Sequence, residues 1–130
     1  MKLLCVEDNF FKRNHIGGFF EEKGIILEEF EFINPALEYI IRNKANVSGI
    51  ILDLSLKSSM DSNDYDLYKG VEVITELENL KIQIPILINS SLTLDLKEGE
   101  HPYVFAHRRR KNDYKILEDF ISFLRERDKQ

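Results

Sequence analysis

The sequence predicts an α/β protein built on a doubly wound, five-stranded parallel sheet with helices on both faces. Short apolar runs alternate along the chain with amphipathic segments, the order that right-handed crossover connections require. The run at 47–54 is almost continuously apolar, as expected for a central parallel strand that is covered on both faces. With 130 residues, of which 43% are hydrophobic, the chain has the length of one domain, 1–130, with a buried core.

The first part of the chain carries two strand–helix units. Apolar residues predict strands at 2–6 and 25–33, and helical spacing of apolar side chains predicts a helix at 10–23. Asn34 provides an N-cap for a second helix over 35–44, which has proline at its first position.

The middle of the chain is less regular. The central strand at 47–54 is followed by a polar segment at 57–69, which we expect to be an irregular excursion. Gly70 then opens a third helix, whose inner face carries three apolar residues: Val73, Ile74 and Leu77.

Two strands and one helix are predicted in the last part of the chain. Apolar runs favour strands at 84–88 and 103–107. A closing helix is indicated by apolar residues at helical spacing: Tyr114, Leu117, Phe120, Ile121 and Leu124. Residues 91–101, between the two strands, contain a glycine and several charges, so we expect helix four to be short or missing.

Composition restricts the environment and the partners. A single cysteine, Cys5, cannot form an internal disulfide, and the chain has neither a signal peptide pattern nor an apolar run of membrane-span length, so a cytoplasmic protein without a membrane partner is expected. The formal net charge of -5 argues against nucleic acid as a partner. The basic run at 107–111 is interpreted as a solvated edge or a docking site for an acidic partner.

Polar side chains follow three of the predicted strands. Glu7 and Asp8 come after the first, Asp53 stands at the end of the third, and Ser90 follows the fourth. Ligands of open parallel sheets bind beyond the carboxyl ends of the strands, so the three carboxylates converge if strands one and three are neighbours. Such a cluster would raise at least one pKa, and Mg2+ would neutralise it with oxygen ligands.

The same cluster suggests a reaction. A carboxylate can attack phosphorus and form an acyl phosphate when a cation offsets the charge on the phosphoryl oxygens. The hydroxyl of Ser90 could then donate to one of those oxygens. Lys12 could reach over the pocket from the first helix, although most such lysines are solvated.

These residues resemble the receiver domain of bacterial response regulators, a flavodoxin-like fold of two-component signalling, over nearly the whole chain. The matching segments are LLCVEDN at 3–9, IILDLSL at 50–56, Gly70 followed by VEVITEL, and PILINSS at 85–91. The resemblance implies that Glu7 and Asp8 are the metal-binding acidic pair and that Asp53 is the phosphoacceptor. It also implies that Ser90 is the switch hydroxyl and that the backbone carbonyl of Ser55 is a further Mg2+ ligand.

The chain departs from the family pattern in three places. His107 and Arg108 stand where the family has lysine and proline; a neutral histidine lacks the charge, and the arginine side chain should lie on the opposite face of the strand. The segment between Asp53 and Gly70 is long, and that between Ser90 and His107 is short. The face near strand five, which the family uses for output, should therefore be remodelled.

Two functions stay open. The resemblance implies a stand-alone receiver that takes a phosphoryl group on Asp53 from a histidine kinase or phosphotransfer protein and signals to a downstream protein partner. The alternative is a phosphorylation-independent pseudo-receiver that binds a partner, or a second copy as a homodimer. Neither is an enzyme, and a hydrolase using Asp53 as nucleophile is disfavoured because Ser55 replaces the second acidic residue common in such loops.

Overall fold

A computed structural model describes residues 1–63, 67–95 and 100–129. It contains five strands, β1 (Lys2–Val6), β2 (Ile26–Phe30), β3 (Gly49–Leu52), β4 (Ile86–Asn89) and β5 (Val104–Arg108). They form one sheet in the order β2-β1-β3-β4-β5, and all four neighbouring pairs are parallel. The predicted α/β class with a five-stranded parallel sheet is confirmed.

Within the described ranges the chain has four α-helices, of which three connect strands and the fourth follows β5. They are α1 (Phe10–Glu22), α2 (Ile33–Asn43), α3 (Val71–Asn79) and α4 (Tyr114–Asp128), and a 3-10 turn, Lys44–Asn46, follows α2. The chain runs from β1 outward to β2 and then returns past β1 to β3, so the strand order reverses between β1 and β3. A crevice forms at such a reversal, beyond the carboxyl ends of the two strands.

Two apolar cores cover the two faces of the sheet. On one face, residues of α2 and α3 pack on alternate residues of the central strands, including Ile40, Leu77 and Ile50. On the other face, α1 and α4 contribute Phe20 and Phe120, which are fully buried. All four residues of β3 are buried, which explains the nearly unbroken apolar run of the central strand.

The start of α2 differs from the prediction. The helix begins at Ile33, its N-cap residue is Phe32, and no side chain caps it, so the assignment of Asn34 as N-cap was wrong. Instead the backbone N–H groups of Ile33 and Asn34 donate to the carbonyl oxygens of Lys57 and Ser58, at 3.0 and 2.9 Å. The segment after β3 therefore caps α2 with its backbone.

Several other boundaries shift by a few residues. β2 ends at Phe30 rather than at residue 33, and β4 begins at Ile86, two residues later than predicted, directly after Pro85, which has no N–H to donate. The register between β4 and β5 shifts between Ile86 and Leu87.

The connection between β4 and β5 is also unusual. Residues 90–95 and 100–103 contain no helix, and the four residues between them lie outside the described chain. The segment predicted as irregular, 57–69, is described except for residues 64–66. Of the helices in the described ranges, none is long and apolar enough to cross a membrane.

Candidate functional site

Three carboxylates meet at the carboxyl edge of the sheet. Glu7 and Asp8 follow β1 and Asp53 follows β3, and the Asp53 backbone N–H donates to the carbonyl oxygen of Val6 at 2.9 Å, which continues the ladder between these strands. One carboxylate oxygen from each of Glu7, Asp8 and Asp53 lies within 4.8 Å of the others. The structure thus brings together the three residues that the sequence placed at strand ends.

Burial and mutual repulsion disfavour full ionisation of the three carboxylates. Glu7 is 2% exposed and Asp53 4% exposed, whereas Asp8 lies at the surface. Burial, together with the Asp53 carboxylate beside it, raises the pKa of Glu7 to about 8. Burial and the same neighbour also raise the pKa of Asp8. The positive charge of Lys12 opposes both changes.

This donor set fits a divalent cation. Mg2+ takes carboxylate oxygens in preference to other side-chain ligands. The Oε2 atom of Glu7 is buried and has no hydrogen-bond partner among the described residues, so it is an acceptor that a cation would satisfy. Asp53 Oδ1 accepts from the backbone N–H of Leu54 at 2.8 Å, which fixes that carboxylate.

The segment that follows Asp53 is held against the site by a glycine. Gly70 N–H donates to the carbonyl oxygen of Leu54 at 2.8 Å. A Cβ atom on Gly70 would lie 2.2 Å from the Asp53 carbonyl oxygen and 2.9 Å from the Leu54 Cα atom. This position therefore requires glycine for close backbone approach. The sequence interpretation placed Gly70 at the start of α3 and missed this contact.

Ser55 is fixed in the same segment by a different bond. Its hydroxyl donates to the carbonyl oxygen of Leu67 at 3.2 Å. The role of its backbone carbonyl oxygen as a Mg2+ ligand stays a prediction.

Ser90 lies directly after β4, the strand next to β3. It is 6% exposed, its N–H donates to the Arg108 carbonyl oxygen at 3.1 Å, and its Oγ accepts from the Leu92 N–H at 3.2 Å. The following residue, Ser91, is exposed. Of the two adjacent hydroxyls, Ser90 is therefore the one held at the end of the sheet, and its role as a switch stays a prediction.

His107 contacts the backbone of Ser90 and supplies no positive charge. Its Nε2–H donates to the Ser90 carbonyl oxygen at 2.9 Å, and its buried Nδ1 has no partner in the described chain. Burial lowers the pKa of His107, so the ring is neutral at pH 7. It cannot act as a lysine would at this place.

Arg108 lies on the other face of β5, as strand alternation predicts. His107 pairs with Ile88, and Arg108 pairs with Asn89. Arg108 is 3% exposed; its Nη1 donates to Asn89 Oδ1 at 2.8 Å, its Nε to the Asp113 carbonyl oxygen at 2.9 Å, and its Nη2 to the Lys111 carbonyl oxygen. No local pattern predicts this burial, because the acceptors come from β4 and from the loop that follows β5.

Comparison with known proteins defines the fold as that of response regulator receiver domains. A two-component response regulator from Clostridium difficile is 18% identical, with a TM-score of 0.76 over 100% of this chain and 99% of that one. The BeF3-activated receiver domain of RstA from Klebsiella pneumoniae is 18% identical, with a TM-score of 0.74 over 96% and 99% of the two chains. TrrA from Thermotoga maritima, in complex with Mg2+ and BeF, is 16% identical, with a TM-score of 0.69 over 95% and 97%.

Sequence comparison adds no closer relative. No family model matches the chain, and no curated protein matches it significantly. At identities of 16–18%, the TM-scores of 0.69–0.76 establish a shared fold.

Proposed function

We propose that this chain is a receiver module that accepts a phosphoryl group on Asp53 in the presence of Mg2+ and signals to another protein. The observation that carries the proposal is the carboxylate cluster: oxygens of Glu7, Asp8 and Asp53 lie within 4.8 Å of one another where the strand order reverses. The similarity to receivers in Mg2+ and beryllofluoride complexes supports the same chemistry here.

The reaction follows from the placement of the residues. An Asp53 carboxylate oxygen attacks the phosphorus of a phosphohistidine on a histidine kinase or phosphotransfer protein, the P–N bond breaks, and the imidazole leaves as an acyl phosphate forms on Asp53. Mg2+, when bound, offsets the charge of the phosphoryl oxygens. Glu7 and Asp8 would hold that ion, with the Ser55 carbonyl oxygen as a further ligand, and Ser90 would donate its hydroxyl to a phosphoryl oxygen.

Signalling would use the contacts that already join Ser90 to β5. Ser90 N–H donates to the Arg108 carbonyl oxygen, and the Ser90 carbonyl oxygen accepts from His107. A movement of Ser90 toward a phosphoryl group on Asp53 would displace both residues and bias the surface near β5. We propose a role in the cytoplasm without enzymatic turnover of its own, with a protein as the recipient of the signal.

The proposal is tested by phosphorylation with a small donor. The protein is incubated with Mg2+ and acetyl phosphate, and intact mass spectrometry follows the addition of one phosphoryl group. We expect addition to the unsubstituted chain, none to Asp53→Asn, and normal addition to Asp61→Asn, a control at an exposed aspartate in the segment after β3. Chelation of the metal should abolish the reaction.

The same samples test whether a change at Asp53 is transmitted to β5. Beryllofluoride with Mg2+ should shift backbone amide resonances of Ser90 and of β5, and Ser90→Ala should retain the shifts near Asp53 while losing those in β5. Absence of both the mass increase and the beryllofluoride shifts at millimolar Mg2+ would instead support the phosphorylation-independent pseudo-receiver.

A further inference from the structure

A basic cavity lies beside the carboxylate cluster but is distinct from it. It occupies about 220 Å3 between α1 and the end of β5 with the loop after it. Ser90 and Asn89 line its floor, whereas Glu7, Asp8 and Asp53 are absent from its lining. The volume corresponds to roughly seven waters at about 30 Å3 each, which is room for a phosphate-sized anion and a small organic group.

The charge of this cavity is of one sign. Five of its lining residues are cationic: Lys12, Arg108, Arg109, Arg110 and Lys111. No aspartate or glutamate of the described chain lines it, although the protein as a whole has a net charge of -5. None of the five cations forms an ion pair among the described residues. The cavity therefore concentrates positive charge that is not held in ion pairs within the described chain.

The feature that most favours an anion in this cavity is the buried Arg108. Arg108 is 3% exposed, and its guanidinium donates to three neutral oxygens, those of Asn89, Asp113 and Lys111. The Asp113 carboxylate lies close enough to favour the charged form of Arg108, but it forms no ion pair with Arg108 among the described residues, and its Oδ1 accepts from the Ile116 N–H and caps α4. Burial of a charge whose hydrogen-bond acceptors are all neutral is costly, and an anion in the cavity would offset that cost.

One side of the cavity is apolar. Phe11 and Ile16 of α1 line it, and Phe11 is 80% exposed, so its ring is free to cover a bound group. A guanidinium group can donate two parallel hydrogen bonds to a pair of phosphate oxygens. An aromatic ring packs well against a flat organic substituent. We propose that this cavity binds a small phosphate monoester, with the phosphate held by Arg108, Arg109 and Arg110 and the organic group packed against Phe11.

The proposal is tested by measuring ligand binding to a protein that cannot be phosphorylated on Asp53. In Asp53→Asn protein with chelator present, phenyl phosphate, inorganic phosphate and phenol are titrated at fixed ionic strength, with calorimetry and amide chemical shifts as readouts. We expect saturable binding of phenyl phosphate, weaker binding of inorganic phosphate and none of phenol, with shifts at Phe11, His15 and Ser91. Failure here leaves the phosphorylation of Asp53 untouched, since that reaction is measured separately in the unsubstituted chain.

Two double variants distinguish binding in the cavity from non-specific attraction between the ligand and the charge of the whole protein. Arg109→Glu with Arg110→Glu should weaken phenyl phosphate binding by about tenfold or more. Arg125→Glu with Lys129→Glu makes the same change in net charge at exposed positions near the end of α4 and should alter binding by less than about twofold. No saturation at roughly 10 mM phenyl phosphate, or equal losses in the two double variants, would overturn the proposal.

Discussion

Carboxylate oxygens of Glu7 and Asp53 lie within 4.8 Å of each other, although these side chains are only 2% and 4% exposed. If both were ionised at this distance from each other and away from water, they would repel each other strongly, and burial together with this repulsion raises the pKa of Glu7 to about 8. The fold nevertheless holds them there, because β1 and β3 are hydrogen-bonded neighbours and both residues follow the last residue of their strand. The stability of the protein and its affinity for cations are therefore linked through this pair.

Replacing Glu7 should separate these two effects. Glu7→Gln removes one of the repelling charges, so above pH 8 and without metal we expect the free energy of unfolding to rise by about 1 kcal/mol or more. The same change removes a predicted metal ligand, and Mg2+ affinity should fall by about tenfold or more. Thermal unfolding with chelator and with Mg2+ measures both. Glu22→Gln, at an exposed position at the end of α1, should behave like the unsubstituted protein.

The metal-free protein should become less stable as pH rises toward 8. The folded-state pKa of Glu7 is raised to about 8 from an ordinary value of 4.5. Between these values the folded state keeps a proton that the unfolded state has released, so the free energy of unfolding falls with rising pH, by up to about 1.4 kcal/mol per unit. The stabilisation that comes from the proton held by folded Glu7 is fully present below about pH 4.5 and is lost above about pH 8.

Urea unfolding in chelator at several pH values measures this slope. His107, whose pKa burial lowers, acts in the opposite direction below its ordinary value of 6.5, so the Glu7→Gln variant provides the reference. The two proteins should have similar free energies of unfolding in acid, and the unsubstituted protein should become progressively less stable than Glu7→Gln as the pH rises to 8. An identical pH dependence in both would rule out Glu7 as the titrating group. Millimolar Mg2+ should reduce the slope, because the cation competes with the proton.

The sequence was sufficient to predict the sheet and the place of its acidic cluster. β3 is an apolar run because both of its faces are buried, and that pattern requires no knowledge of distant residues. Asp53 follows this run directly, and two acidic residues follow strand one, so the rule for carboxyl ends of parallel strands predicted that they meet if strands one and three are neighbours, as the sheet shows they are.

Other features were not predictable because they depend on contacts between remote segments. The first turn of α2 is capped by carbonyl oxygens of Lys57 and Ser58, more than twenty residues further along the chain, so a local search chose Asn34 instead. The burial of Arg108 likewise depends on acceptors in the loop before α4. Local patterns identify elements, but the partners of their ends come from the tertiary fold.

Gly70 should be intolerant of any side chain. A Cβ atom there would lie 2.2 Å from the Asp53 carbonyl oxygen, so the backbone of the site must move, and Gly70→Ala should destabilise the protein by about 1–3 kcal/mol. Gly18 offers a matched control, since it lies in α1 with nothing within 4 Å of the added atom. Gly18→Ala should stabilise by about 0.5–1 kcal/mol. Urea unfolding of both variants checks this, and equal effects would contradict the contact at Asp53.

Lys12 should assist phosphorylation of Asp53. Its charge lowers the pKa of both Glu7 and Asp8, so its field reaches the cluster from α1, whereas His107 is held neutral. Charge accumulates on the phosphoryl oxygens as the acyl phosphate forms, and a nearby cation stabilises it. Lys12→Gln should slow phosphorylation by acetyl phosphate roughly threefold to tenfold, as followed by intact mass, while Lys44→Gln, at an exposed residue just after α2, should have no effect. Equal phosphorylation rates in the two variants would show that Lys12 does not assist the reaction at Asp53.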